Sequence, residues 1–203
     1  MAFTVVTTTY GGQQIQYRDI AVEANDLVWA LGTDNGGNCQ LSLSNVTAEL
    51  IGTEVRDGGR MRISVWKAKA AGTARVTISG SGSNWDMVIA VARPDADRRW
   101  KLVVLYDAPE PSSVGLEAEV GNPIFIIQHH GTGVANAPSV AGISYNTVYD
   151  ILPEGSGGPS DGHMTIIDPT SVGTATISSS TAYLMVGYIT PVAWRRRVQF
   201  VWV

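Results

Sequence analysis

Apolar and polar residues alternate with a period of two along most of this chain. In Gln40-Leu41-Ser42-Leu43-Ser44 the leucines share one parity and the polar side chains the other; Arg75-Val76-Thr77-Ile78-Ser79 repeats the pattern. Successive side chains of a strand point to opposite faces, so each segment predicts a half-buried antiparallel strand. Four other runs are apolar on both parities: Leu27–Leu31, Met87–Val91, Leu102–Leu105 and Ile124–Ile127. Their shortness and their Gly, Pro, Asn or Asp boundaries favour central strands of a sandwich over helices. The alternative is that another subunit covers their second face. In Arg60–Lys69 the parity of Met61, Ile63 and Val65 continues into Lys67 and Lys69. A bulge near Val65-Trp66 that returns Trp66 and Ala68 to the core is the expected reason.

Turn signals recur every 8–12 residues, as at Tyr10-Gly11-Gly12, Asp34–Asn38, Asp57-Gly58-Gly59, Ser79–Gly82 and Gly121-Asn122-Pro123. They supply Gly or Asn where positive φ is needed. About sixteen short strands result, and no window carries a sustained helical stripe. The expected fold is all-β: an antiparallel, jelly-roll-like β-sandwich with two similar halves packed together.

Two pairs of segments support the halves. Gly72–Pro94 and Gly173–Pro191 both run from Gly-Thr through an alternating strand, a small polar turn and an aromatic (Trp85 or Tyr183) to an apolar strand and proline. They start 101 residues apart and end 97 apart. Upstream, the segment ending at Thr33 matches the one ending at Thr132, an offset of 99. The reading is an internal duplication, with repeated composition as the alternative. The expected division is 1–106 and 107–203, at the Pro/Ser-rich Asp107–Ser113, or else one continuous sandwich. Two long loops in the second half, Gly131–Gly142 and Pro153–Gly162, are where binding is expected on a rigid scaffold.

Composition narrows the function classes. The chain has 203 residues, of which 22 are glycine, and only 16% are charged. The net charge is −4, from 14 Lys/Arg and 18 Asp/Glu. From Asp107 to Trp194 there is no Lys or Arg, a stretch that cannot neutralise phosphates, so no nucleic-acid partner is expected. No run approaches the ~18–20 apolar residues of a membrane span, so no membrane partner is expected either. With Cys39 as the single cysteine, no intrachain disulfide is possible. The opening MAFTVVTTTYGG has no leader pattern, and folding in a reducing cytoplasm is the expectation.

The chemistry-bearing residues do not form a recognisable constellation. His129, His130, His163 and Asp161 lack paired metal-ligand spacing, and adjacent strand residues such as His129 and His130 face opposite ways. Asp34, Asn35 and Asp57 sit in glycine-rich turns without EF-hand spacing, and turn chemistry accounts for them. The serines are scattered through turns rather than set at a strand-to-helix elbow, and Glu117 and Glu119 are a poor glycosidase pair. No catalytic, cofactor or metal residue is assigned, and no cofactor is expected. The six tryptophans, Trp29, Trp66, Trp85, Trp100, Trp194 and Trp202, are expected mainly in the core, with one or two at an interface.

The order AVEANDLVWALGT…RISVWKAKAAGTARVTISGSGSNWDMVIAVARP, between Ile20 and Pro94, resembles a β-sandwich type of phage and prophage structural proteins. The resemblance implies a non-enzymatic virion component: a head decoration or cement protein, or a fibre or tail accessory protein. Its implied partners are other copies of itself, as a homo-oligomer, and capsid or tail proteins; its implied place is the virion. The alternative is a carbohydrate- or receptor-binding tail or fibre module that uses Trp66 or Tyr145 and the two long loops on a glycan. In residues 194–203, Trp194, Val198, Phe200 and Trp202 share one parity and Arg195, Arg197 and Gln199 the other, with Arg196 on the apolar side. Such an unprotected strand is expected to pair within the fold or with a partner. Deleting residues 198–203 is expected to abolish soluble assembly; normally folded, normally assembling protein after the deletion would refute this.

Overall fold

A computed structural model describes residues 3–11, 16–34, 36–81, 85–107, 111–129, 136–151, 162–180 and 182–192. They form sixteen antiparallel strands in four sheets, with one 3-10 turn at Asp57–Gly59. The first eight strands are β1 (Phe3–Gly11), β2 (Tyr17–Val22), β3 (Leu27–Asp34), β4 (Gln40–Ser44), β5 (Ala48–Arg56), β6 (Met61–Ala68), β7 (Gly72–Ser79) and β8 (Trp85–Pro94). The second eight are β9 (Trp100–Asp107), β10 (Ser112–Ala118), β11 (Ile124–His129), β12 (Ser139–Ala141), β13 (Tyr145–Ile151), β14 (Gly162–Pro169), β15 (Gly173–Ser179) and β16 (Tyr183–Pro191).

The first set makes a five-stranded sheet, β1-β8-β3-β6-β5, and a three-stranded sheet, β2-β7-β4. The second set makes β9-β16-β11-β14-β13 and β10-β15-β12, the same two orders with every strand moved on by eight. Each set follows jelly-roll order, with one exception: β5 and β13 pair with the larger sheet rather than closing the smaller one. The chain is thus an all-β sandwich of two similar halves.

Details repeat as well. The Glu23–Asp26 turn carries φ 75° at Asn25, and Glu119–Asn122 carries φ 68° at Gly121. In both turns the fourth residue's N–H donates to the glutamate carbonyl, at 3.2 and 3.1 Å. The bulge of β5 between Leu50 and Gly52 recurs in β13 between Thr147 and Tyr149. These turns lie 96 residues apart, which corrects the offset of 99 read from the Gly-Thr endings: Trp29, not Asp26, corresponds to Phe125. Sheet pairing also takes β9 away from the residues before it. It bonds to β16 along its length, from Trp100↔Pro191 to Asp107↔Leu184, so the chain changes sheets within 95–99 rather than at 106/107.

Three apolar layers alternate with the four sheets. One lies between β2-β7-β4 and the first larger sheet, and one between the second larger sheet and β10-β15-β12. The third lies between the two larger sheets. This explains the doubly apolar runs. Val28 and Ala30 of β3 face the first half's own sandwich, while Leu27, Trp29 and Leu31 face the other half. On β11, Ile124 and Ile126 face inward, and Phe125 and Ile127 face across. The second face is therefore covered by the same chain. The β6 phase change has the same cause and not a bulge, since β6 keeps unbroken register with β3 from Lys67↔Leu27 to Met61↔Thr33. Met61, Ile63 and Val65 enter the central layer; Trp66 and Ala68 enter the outer one.

At the centre, the equivalent residues Trp29 and Phe125 stack on each other, with centroids 3.8 Å apart and planes 8° from parallel. Self-matching contact of this kind is what a two-fold relation produces. The sheets come close where Gly187 has no side chain: a Cβ there would sit 2.9 Å from Ile63 Cδ1. Trp29→Ala and Phe125→Ala should each cost ~3–5 kcal/mol. Their double-mutant cycle should show ~0.5–1.5 kcal/mol of coupling in denaturant unfolding. Additive losses would mean that the stack contributes nothing beyond burial.

Candidate functional site

Among the described residues, three places gather polar side chains, and none of them assembles the sequence candidates into one centre. The first is the rim of the central layer. His129 continues the parity of Phe125 and Ile127, so it is carried into the space between the halves and is almost fully buried. The turn after β5 meets it there. Positive φ at Asp57 (51°), Gly58 (60°) and Gly59 (93°) folds that turn tightly. Asp57 Oδ2 lies 2.7 Å from His129 Nδ1, an ion-pair distance without the alignment of a hydrogen bond. Burial pushes the Tyr106 hydroxyl's pKa up, and the nearby Asp57 and Tyr183 add to the shift. The Arg56 guanidinium stands 5.8 Å from the Tyr106 ring centroid.

His163 is not part of this group. It pairs with Gln128 in the ladder, while His129 pairs with Gly162, so the two histidines face opposite sides of the sheet. Its Nε2 is 2.6 Å from Asp150 Oδ1, which also accepts from Thr165 Oγ1 at 2.7 Å. His130 and Asp161 lie outside the described residues. Among the described residues, no three His, Cys, Asp or Glu side chains are grouped as metal ligands.

The turn carboxylates hold backbone. Asp34 Oδ1 accepts from Gly36 N at 3.1 Å, and Oδ2 accepts from Ser81 N at 3.0 Å. A side chain on Gly80 would collide with that carboxylate. Asn35 lies outside the described residues. Glu117 is exposed and accepts from Thr174 Oγ1 at 2.8 Å, and Glu119 lies beyond the end of β10. Asp26, fully buried, takes a two-pronged bond from Arg93 (Nε to Oδ1 2.8 Å, Nη2 to Oδ2 3.0 Å) and also accepts from Glu23 N. In the second half Asn122 stands at this place and donates to Ile189 O at 3.0 Å. The parity of β11 could have flagged His129; nothing local pointed to Asp26 with Arg93, which are 67 residues apart.

The second place is an open cleft of about 690 Å³ beside the 95–99 crossover, lined by Lys67, Lys69, Arg98, Arg99, Glu49 and Asp97 among others. Lys67 pairs with Asp97 and Lys69 with Glu49, and the lysine partner holds the Glu49 carboxyl below its usual pKa. The third is the outer surface. There Tyr17 is 49% exposed, and Arg75 lies 4.0 Å from its ring centroid while bonding Asp19 through Nε and Nη2. Tyr145, 36% exposed, lies on the edge strand β13. Trp66 is only 8% exposed and packs in the outer layer of the first half, so it is no stacking platform. Trp29 and Trp100 belong to the central layer. Trp194 and Trp202, residues 131–135 of the first long loop and 153–161 of the second lie outside the described residues, as does the side chain of Trp85.

No family model matches the chain, and no solved structure matches it. Over 152 residues, 73% of this chain, it is 26% identical to an L-cysteine:1D-myo-inositol 2-amino-2-deoxy-alpha-D-glucopyranoside ligase of Clavibacter sepedonicus. The chain spans 34% of that protein's length.

Burial sets the behaviour of two titratable groups. The Cys39 thiol is pushed up to about 12 by burial, so at neutral pH it is a packed thiol and not a nucleophile. Alkylation is expected only after unfolding; rapid labelling of native protein would contradict that. Burial also raises the Asp168 carboxyl, whose Oδ1 has no hydrogen-bond partner. A raised folded-state pKa means that ionisation costs stability, fully so above the folded value and not at all below the unfolded one. Asp168→Asn should therefore raise Tm at pH 7, and the gain should vanish in acid below the ordinary carboxyl range. A gain that does not change with pH would exclude this cause.

Proposed function

We propose that this chain is a non-enzymatic structural component of a phage virion, of the capsid decoration or cement type, which works through contacts between subunits. The carrying observation is the architecture, two halves that each follow jelly-roll order and pack face to face in one chain. The polar residues support the same reading. Asp34 holds turns, Asp26 is bound by Arg93, and Lys67 and Lys69 are paired within the open cleft. By analogy of fold alone, jelly rolls carry viral capsid and lectin domains. The implied partners are further copies of the chain and capsid or tail proteins.

A carbohydrate- or receptor-binding module is the second reading, favoured by the exposed rings of Tyr17 and Tyr145. Quantitative mass spectrometry of purified particles decides the first reading: the chain should be present in fixed ratio to the major capsid protein. Its absence from particles would overturn the assignment. Saturable binding on a glycan array, lost in Tyr145→Ala or Tyr17→Ala with Tm unchanged, would install the second reading instead.

A further inference from the structure

Where the two halves keep the same register, their strands can be compared position by position. Counted from Trp29 and Phe125, Arg62 of β6 and His163 of β14 are equivalent: Arg62 lies opposite Gly32 and His163 opposite Gln128. Thr53 of β5 and Asp150 of β13 are equivalent too, lying opposite Ser64 and Thr165, each just past its strand's bulge. In the second half these positions close on one another. Asp150 Oδ1 stands 2.6 Å from His163 Nε2 and accepts from Thr165 Oγ1 at 2.7 Å. In the first half the hydroxyl bond is kept, with Thr53 Oγ1 and Ser64 Oγ 2.8 Å apart, but a threonine stands where the carboxylate would be. Among the described residues no acid pairs with the Arg62 guanidinium, and its Nε is buried without a hydrogen-bond partner.

Arg62 is half-buried and lines a groove of about 270 Å³ whose apolar walls are Leu41, Leu43, Leu50 and Trp66. The groove follows the open side of the first jelly roll, between β4 at the edge of the smaller sheet and β5 at the edge of the larger. It is the gap left where β5 joins the larger sheet and the smaller one stops at three strands. A guanidinium drawn partly out of water without a counter-charge is costly, and an anion brought to it is favoured. The apolar walls, with Leu50 52% exposed, select the body that carries the anion. The backbone of β4 is laddered to β7 alone, and its sequence Gln-Leu-Ser-Leu-Ser has no charge or proline to keep another strand from its free edge.

We propose that this groove docks an extended peptide segment of a partner protein, which adds to the free edge of β4 as a fourth strand of the smaller sheet and sets an acidic side chain on Arg62. A free carboxylic acid would meet the guanidinium but leave the β4 edge to water; a peptide strand satisfies both. Main-chain bonds to β4 supply affinity, and the inward side chains supply specificity. The acid takes the place that Asp150 holds in the second half, with a charge-assisted bond from Arg62 in place of the contact with His163. Inward side chains of a strand share one parity, so the acid and the apolar residues that meet Leu43 and Trp66 stand at even spacings. The inference does not depend on the virion assignment: a chain absent from particles would keep the groove, and a chain present in them would not by itself fill it.

NMR titration of the full chain with three capped nonapeptides tests it, read at the Arg62 Nε–H and the β4 amides. The first peptide is Ser-Val-Ser-Glu-Ser-Val-Ser-Val-Ser, the second has glutamine for the glutamate, and the third moves the glutamate to the neighbouring position, on the opposite face. The first should shift both sets of signals saturably, and either change of peptide should weaken binding by about tenfold or more. Arg62→Gln should bind the first two peptides alike. Thr53→Asp, which supplies the carboxylate that the second half carries, should raise Tm and abolish binding of the first peptide. Should Arg62→Gln misfold, Thr53→Asp and the peptide pair give the answer. The proposal is overturned by an absence of shifts with every peptide, by equal affinity for the glutamate and glutamine peptides, or by undiminished binding to Thr53→Asp. A lower Tm in Thr53→Asp would overturn the claim that Arg62 lacks a counter-charge. Octanoate serves as the free acid: shifts at Arg62 from octanoate, with none at β4 from the peptides, would replace strand addition by a carboxylate pocket.

Discussion

Everything in this molecule depends on the burial of both faces of each five-stranded sheet. A sheet covered on one side by a small three-stranded partner still presents a wide apolar face to water. Leu27, Trp29, Leu31, Val88 and Ala90 on one side, and Phe125, Ile127, Met185 and Ile189 on the other, would form such faces if the halves were apart. Apolar surface of that extent is uncommon on a monomer and drives association. Facing the two sheets solves the problem once for both, at the cost of fixing side-chain volume wherever the backbones approach. Gly187 against Ile63 and Gly52 against Leu102 are two such places, each with under 3 Å of room for a Cβ.

Much of the fold was legible because period-two patterning is a direct image of a sheet with two different environments. Gln40–Ser44 was readable as a strand with its correct bounds for that reason. The doubly apolar runs were readable as buried strands, but not as to what covered them, since a side chain's parity does not say which layer lies beyond it. The segment Met61–Ala68 shows the limit: a lysine in phase with Ile63 suggested a bulge. In the structure Lys67 keeps its phase at the edge of the layer and meets Asp97.

The polar groupings were less accessible. Local turn chemistry made Asp34 interpretable, because its partners Gly36 and Ser81 lie in the glycine-rich turns it braces. The contacts of Asp57 with His129 and of Asp26 with Arg93 join residues far apart in the chain, and only the sheet order brings them together. Register also corrected the repeat. The Gly-Thr endings give an offset of 99, whereas the backbone aligns the positive-φ turns at Asn25 and Gly121. A turn that requires a left-handed residue is a firmer anchor than a dipeptide that many strands can end with.

The stacking of Trp29 on its own counterpart Phe125 has a thermodynamic consequence. Equivalent positions meet here as they would across the axis of a two-fold dimer, but within one polypeptide. Covalent linkage makes the pairing intramolecular, so dilution cannot separate the halves as it would two free chains. It also frees the two copies from identity, which is how one half can keep a buried carboxylate at Asp26 while the other replaces it with the neutral Asn122.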